Sequence, residues 1–213
     1  MMTAYGVFAD GTAFSPKIPD ITGGPGWIAS DTYDIAATAG RDTPFEQMAG
    51  PMLRALLERR FQLKVHRETK EAAVYFLTVA KGGPNLEATK EGGCVPIDPN
   101  HPPAPGAAPS QARPYCGNIM MQAMSIMKLT AHGVTLKQVA EALLTGMVDR
   151  PVIDRTGLSG QYDIQIEFAP EGADLDTPSI FEALQMKLGL KLEPGKGPVE
   201  SLIVDRVERP TEN

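Results

Sequence analysis

The stretch Met52-Leu-Arg-Ala-Leu-Leu-Glu-Arg-Arg-Phe-Gln-Leu-Lys-Val-His-Arg-Glu68 indicates an amphipathic helix that runs directly into a strand. Its apolar residues recur at helical spacing and so share one helix face: Leu53, Leu56, Leu57 and Phe61. From Leu63 to Glu68 apolar and polar residues alternate, which is typical of a strand. The stretch therefore predicts a helix and a strand that pack through one apolar face.

A second version of this pattern lies downstream, at Ser179-Ile-Phe-Glu-Ala-Leu-Gln-Met-Lys-Leu-Gly-Leu-Lys-Leu-Glu193. Both versions follow an Asp-Thr-Pro sequence, at 42–44 and 176–178, and a Tyr-Asp-Ile sequence, at 33–35 and 162–164. A repeated order of motifs indicates a repeated structural unit. We therefore predict an α+β fold of two related β-α-β-β units, an internal duplication, with helices packed on small mixed or antiparallel sheets.

The first version has a basic face that suggests an anion site: Arg54, Arg59, Arg60, Lys64 and Arg67. The second version keeps the apolar spacing but has only two matching basic residues, Lys187 and Lys191. What repeats is the helix-to-strand packing, so the sequence predicts a scaffold here and a functional site elsewhere.

The remaining elements follow from periodicity and turn residues. In the first half we predict a helix that ends at Gly6, a strand at 31–38, a helix after Thr43, and strands at 63–68 and 73–80 joined by a turn at 69–71. In the second half we predict a strand pair within 119–130, helices at 136–147 and 178–188, and strands at 151–154, 162–168, 190–193 and 199–208, with a turn at 194–197. The four methionines of the strand pair are expected in the core.

Three segments result: a first α+β repeat at 1–81, a proline- and glycine-rich linker at 82–118, and a second α+β repeat at 119–213. Cys94 and Cys116 flank the proline-rich part of the linker. A disulfide between them would close a loop of about 20 residues and stabilise the fold by roughly 3 kcal/mol, which suits an oxidising compartment. The alternative is two separate thiols in a cytoplasmic protein.

Composition excludes several classes of protein. The chain of 213 residues has a net charge of −6, which argues against a nucleic-acid partner because phosphate binding needs a concentrated basic surface. No apolar run is long enough to span a membrane. The first residues show neither a basic nor an apolar region of a signal peptide, so the chain as written is expected in the cytoplasm.

The usual catalytic signatures are absent from the sequence. Ser159 follows Gly157 in a pattern that resembles a nucleophile elbow, but Gln161 stands where that motif needs glycine. The three histidines, His66, His101 and His132, are too far apart in sequence for a zinc motif of adjacent ligands. We therefore predict no zinc hydrolase of the dinuclear kind.

Weaker candidates for function remain. Trp27, the only tryptophan, follows a glycine-rich loop and is a candidate for ligand recognition, with a core anchor as its alternative. His66 is a second candidate binding residue, although strand alternation places it on a solvent-facing side. Asp149, Asp154 and Asp163 would supply oxygen ligands if the chain binds calcium, but no EF-hand spacing is present and a solvated acidic face is the alternative. No cofactor is expected otherwise.

Several motifs resemble a large paralogous family of uncharacterised soil-bacterial proteins, many of them encoded by Acidobacteria. They are Gly23-Gly-Pro-Gly-Trp-Ile28, Arg60-Phe-Gln-Leu-Lys-Val-His-Arg-Glu68, Val79-Ala-Lys-Gly-Gly-Pro84 and Arg150-Pro-Val-Ile-Asp154 with Thr156-Gly-Leu-Ser-Gly160. The resemblance covers nearly the whole chain. It implies a periplasmic or secreted protein, since members of that family usually carry an export signal, which this chain lacks.

The second half also resembles the short N-terminal domain of secretins and TonB-dependent receptors, a small α+β docking module. The prediction is therefore a non-enzymatic, exported docking module for a peptide, an envelope protein or a small ligand, with strand addition as one mode. The alternative, which the first resemblance suggests, is a calcium-assisted hydrolase of small esters or lactones such as N-acyl-homoserine lactones.

Overall fold

A computed structural model of the chain describes residues 1, 3–7, 20–97, 113–170, 172 and 176–210. These residues form short helices and two four-stranded sheets, which confirms the predicted α+β class. The strands are β1 (Asp20–Gly23), β2 (Lys64–Val79), β3 (Glu87–Ala88), β4 (Asn118–Ala123), β5 (Met127–Val134), β6 (Val152–Asp154), β7 (Tyr162–Phe168) and β8 (Leu190–Arg206). The α-helices are α1 (Trp27–Ser30), α2 (Phe45–Gln47), α3 (Leu53–Arg60), α4 (Leu136–Gln138) and α5 (Ile180–Ala183).

Wider helical turns extend several of these helices. A π-helical turn at Met48–Met52 joins α2 to α3, and it contains Pro51. Proline has no N–H to donate, so the wider turn lets the helix pass this residue without a break. The other helical turns are Thr3–Val7, Val139–Leu143, Leu144–Gly146 and Leu184–Leu188.

The two long strands correct the predicted turns. β2 is continuous over 16 residues and β8 over 17, so the turns predicted at 69–71 and 194–197 are wrong. Residues 69–71 contain neither glycine nor proline, and nothing local forces a reversal there. In β8, the ring of Phe76 lies where a Cβ on Gly195 would stand, 2.4 Å from its Cε2. The glycine therefore makes room for a ring rather than a turn.

The strand predicted at 31–38 is also wrong. This segment has no regular secondary structure, and both Tyr33 and Ile35 are exposed. Its alternating residues fit a strand, but no main-chain hydrogen bond joins residues 34–39 to any other described residue. Periodicity alone did not supply the neighbour that a strand needs.

The described chain divides into two compact units. Unit 1 comprises the described residues up to Ala72 and from Pro198 onward, and unit 2 comprises those between Ala73 and Gly197. β2 and β8 each begin in one unit and end in the other. The three segments predicted from the sequence, and the internal duplication, stay predictions.

Unit 1 has a small core under the pairing of β1 with β8. The two strands are parallel, with Asp20 opposite Ser201 and Gly23 opposite Val204. The buried residues come from the first helical turn, α3 and the end of β8: Ala4, Tyr5, Leu57, Leu63, Leu202 and Val204.

Unit 2 has the larger core. Its antiparallel sheet has the strand order β3-β7-β5-β4, and β2 pairs with β6 in parallel, Tyr75 opposite Val152. The helices after Thr135 and Ser179 supply apolar side chains to the same core, among them Leu136, Leu144 and Leu184. Both helices start with a capping box, formed by Thr135 with Gln138 and by Ser179 with Glu182. These helices were predicted correctly because their N-terminal signals are local.

Cys94 and Cys116 lie at disulfide distance, with their Sγ atoms 1.97 Å apart. Gly133 of β5 passes directly beneath them. Its φ is +60°, and a Cβ there would stand 2.6 Å from Sγ of Cys94 and 3.1 Å from Cα of Cys116. Gly133 is therefore required both by its left-handed backbone and by the close approach of the cysteine pair.

We predict that Gly133→Ala lowers the free energy of unfolding by about 2 kcal/mol or more, because a left-handed residue with a Cβ costs roughly 1–2 kcal/mol before any steric overlap. This corresponds to a fall in Tm of about 4–8 °C. Gly146→Ala is the matched control, since a Cβ at Gly146 meets nothing within 4 Å. Thermal unfolding followed by circular dichroism measures both, and an unchanged Tm for Gly133→Ala would contradict this account.

Candidate functional site

The outer strand of the unit 2 sheet, β4, is the first candidate site. β4 pairs antiparallel with β5, placing Ile119 opposite Ala131 and Met121 opposite Leu129. Opposed residues point to the same face of a sheet. Ala131 and Leu129 are buried in the core, so Ile119 and Met121 belong to the core face and Met120 to the polar face. The apolar face of the sheet thus continues to its edge.

This edge is apolar and uncovered. Met121 is 43% exposed and Met120 is 49% exposed, and at the hairpin tip Met124 is 81% exposed. Ile126 is exposed as well. We call residues Asn118–Ile126 the β4 edge. The prediction that the methionines of this stretch pack in the core is wrong for these three, and only Met127 packs against the core.

The β4 edge also lacks the usual protection against pairing. Its six strand residues, Asn-Ile-Met-Met-Gln-Ala, include no charge and no proline. Exposed edge strands normally carry such residues, or a bulge, because unpaired N–H and C=O groups recruit another strand. Within the described ranges, no strand pairs with the outer side of β4.

Unit 1 contains an apolar groove of about 420 Å³. One wall is the unstructured segment with Ile35, and the other is the helix from Met48 to Arg59. We call this the unit 1 groove, and its lining is Ile35, Ala37, Thr38, Ala39, Met48, Met52, Leu53, Ala55, Leu56 and Arg59. Apart from Thr38 and Arg59, every side chain in this lining is apolar.

A basic pocket of about 500 Å³ also opens in unit 1. It is lined by Arg59, Arg60, Gln62, Glu208 and Arg209, and we call it the arginine pocket. Arg59 lines both the arginine pocket and the unit 1 groove.

Trp27, a predicted recognition residue, lies in an aromatic cluster of unit 1. Its ring meets Tyr33 edge-on with centroids 6.4 Å apart, and Tyr33 meets Phe61 at 5.2 Å. The guanidinium of Arg209 lies 5.2 Å from the Trp27 ring centroid and donates hydrogen bonds to Asp31, at 2.9 Å from Nη2. Arg209 and the Ser30 hydroxyl lower the pKa of Asp31. Trp27 is half-buried here, and its role in recognition stays a prediction.

His66, the second predicted binding residue, pairs with Asp205. Nδ1 of the ring lies 2.9 Å from both carboxylate oxygens, and both side chains are exposed. A carboxylate that orients a histidine is one part of a nucleophilic triad. In the part of the chain that the structure describes, no hydroxyl or thiol hydrogen-bonds to the ring. The pair is therefore an orienting contact without a partner nucleophile.

The structure does not bring the candidate calcium ligands together. Asp149 accepts a hydrogen bond from Nε of Arg150, while Oδ1 of Asp154 accepts from the main chain and hydroxyl of Thr156 at 2.9 and 2.8 Å. Asp154 thus closes a local turn. Across the described residues, no group of three or more His, Cys, Asp or Glu side chains could hold a metal ion.

Asp163 has a structural role next to His132. Its Oδ1 accepts hydrogen bonds from the Thr89 hydroxyl at 2.9 Å and from the Gly133 amide at 3.0 Å, and His132 Nδ1 lies 3.8 Å away. In a triad the histidine stands between acid and nucleophile. Here the carboxylate is the hub, so it fixes the neighbouring chain segments and does not activate Thr89.

The comparisons with known proteins give one match. Residues 4–207 match the model of a family described as "Protein of unknown function (DUF3738)". No curated protein and no solved structure matches the chain. Among the described residues, no helix is long and apolar enough to cross a membrane.

We predict an acid transition in the fluorescence of Trp27. Because the folded pKa of Asp31 is lowered, its ion pair with Arg209 is present at neutral pH and is lost as pH falls through that lowered pKa. Loss of the pair releases Arg209 from the Trp27 ring and changes the emission. The midpoint should lie below the ordinary range of an aspartate.

Asp31→Asn should remove this transition, whereas Asp34→Asn, an exposed control in the same segment, should keep it. Far-UV circular dichroism recorded in parallel separates the local change from acid unfolding. A transition that survives in Asp31→Asn would mean that another group controls Trp27.

Proposed function

The chain belongs to this family of unknown function, and we propose that it is an exported, non-enzymatic docking module that binds an extended segment of a partner polypeptide. The observation that carries the proposal is the β4 edge. It combines an uncharged strand, unpaired on its outer side within the described chain, with exposed apolar side chains. A partner segment would join the sheet beyond β4 as a fifth strand.

The register of β4 specifies the chemistry of that partner. A residue that faces Met121 joins the apolar face, in the row that runs through Leu129 to Ile166. A residue that faces Met120 joins the polar face, in the row with Thr130 and Gln165. The preferred partner therefore alternates apolar and polar residues, and its main chain supplies the hydrogen bonds.

Such an interface supports moderate affinity. About four main-chain hydrogen bonds at roughly 0.5–1.5 kcal/mol each, with burial of the methionine side chains, must offset the loss of translational and rotational freedom. We expect a Kd in the micromolar range, as is typical of reversible recognition of one extended segment.

Export is part of the proposal. The disulfide-distance pair Cys94–Cys116 supports it, because such bridges persist in oxidising compartments. The resemblance to soil-bacterial proteins that usually carry an export signal agrees with it. The resemblance of the second half to the docking domain of secretins and TonB-dependent receptors supports a docking role at the cell envelope.

The calcium-assisted hydrolase is the second hypothesis from the sequence. It would need several carboxylates to converge with a histidine around an ion. In the described part of the chain, Asp149, Asp154 and Asp163 each bond to a different neighbour. We rank this function below docking for that reason.

We predict that a blocked peptide of alternating valine and threonine, with a lysine at each end, binds the protein with a micromolar Kd. Met121→Lys should weaken binding at least tenfold, because it places a charge on the apolar face at the edge. Met120→Lys is the matched control, with the same substitution on the polar face of the same strand, and it should bind nearly as well as wild type. Isothermal titration calorimetry measures all three.

The same peptide with N-methyl groups on alternate residues should not bind, since it has lost the donors that strand addition requires. Equal affinity of the methylated peptide, or equal loss in Met120→Lys and Met121→Lys, would overturn the proposal. Circular dichroism of each variant confirms that it is folded.

Calcium tests the rival function. We predict that 10 mM calcium and EDTA each change Tm by less than about 1 °C, whereas an ion at 100 times its Kd would stabilise the fold by about 2.7 kcal/mol. We also expect no chelator-sensitive hydrolysis of an N-acyl-homoserine lactone. Turnover that is lost both with EDTA and in Asp154→Ala would favour the hydrolase instead.

A further inference from the structure

We infer that unit 1 carries a second binding site, for a free single-chain carboxylate such as a fatty acid anion. The hydrocarbon chain would lie in the unit 1 groove, and the carboxylate would bind Arg59. This site uses no residue of the β4 edge, so it stands or falls independently of the docking function.

The groove has the dimensions and surface of a small-ligand site. Its volume of about 420 Å³ falls within the range of about 300–1,000 Å³ that is usual for such sites. Ile35, Met48 and Met52 are exposed along it, although they are large and apolar. The methionines can adjust to an irregular alkyl chain because their side chains are unbranched and flexible.

The lining favours an alkyl chain over a polypeptide. A polypeptide brings an N–H and a C=O group with every residue, and each one costs free energy if it is buried without a hydrogen bond. The side chains of the groove offer only Thr38 and Arg59 as polar partners. An alkyl chain needs no such partners.

Arg59 places a positive charge at the groove. Its guanidinium forms no hydrogen bond or ion pair with another described residue. In the arginine pocket, by contrast, Arg209 is engaged by Asp31 and Glu208 accepts a hydrogen bond from Nε of Arg206 at 3.0 Å. A bound anion would give Arg59 a bidentate partner.

The same pocket selects the charge of the head group. Glu208 lines it beside Arg59 and would repel a doubly charged phosphate more than a singly charged carboxylate. The occupant that matches both the apolar lining and the charge is therefore an amphiphile with one carboxylate.

The test uses the whole chain and dodecanoate, kept below the concentration at which it forms micelles. Isothermal titration calorimetry should show one bound molecule per chain, and affinity should rise by about threefold per methylene from eight to twelve carbons. Dodecanol, which has the same tail without the charge, should bind at least tenfold more weakly.

Two variants test the head-group contact. Arg59→Gln should weaken dodecanoate binding at least tenfold and leave dodecanol binding unchanged, whereas Arg41→Gln, an exposed control in the same unit, should change neither. Met121→Lys should also bind dodecanoate normally, because it alters only the β4 edge.

Three results would overturn the inference. One is equal binding of dodecanol and dodecanoate, a second is normal dodecanoate binding by Arg59→Gln, and the third is uptake of many molecules per chain. Binding to phosphatidylglycerol vesicles in sedimentation, without binding of free dodecanoate, would assign the surface to a membrane and would also reject the proposal.

Discussion

The absence of side chains at Gly195 and Gly197 is the constraint on which much of the structure depends. The Phe76 ring occupies the space beside Gly195, and Ile153 and Val74 lie close to Gly197. Arg155 covers the same ring, with its guanidinium carbon 3.5 Å from the centroid. This packing keeps β8 extended through Pro194–Pro198, a sequence that would otherwise favour a turn. β8 can therefore supply Leu190 to one core and Leu202 and Val204 to the other.

The parts of the fold that sequence predicted correctly are those with local causes. The helices that begin after Thr135 and Ser179 have capping boxes and apolar residues at helical spacing, and both signals lie within a few residues of each other. The turn predicted at 194–197 had an equally local signal, but a distant ring decided its conformation. The strand predicted at 31–38 had the right alternation and lacked a neighbouring strand. Tertiary packing overrode the local preference in both cases.

The candidate sites were harder to predict for a related reason. Met120, Met121 and Met124 are exposed because β4 is the last strand of its sheet, and strand order is not visible in the spacing of residues. Asp154 has the chemistry of a calcium ligand, yet its carboxylate is used by Thr156, two residues further along. The basic face around Arg59 was set aside because the second helix does not repeat it. That comparison tests what the two helices share, and a site present in only one of them escapes it.

The β4 edge and the unit 1 groove bind by different physics. Strand addition depends on main-chain hydrogen bonds, which any extended partner can form, so its selectivity rests on which face receives an apolar side chain. The groove depends on burial of an alkyl chain and on one charge, so its selectivity rests on the head group. An uncharged edge strand is also a hazard, because a second copy of the chain can pair with it. A docking role gives a physical reason for keeping such an edge, since a charge at Met121 that prevented self-association would also exclude the partner.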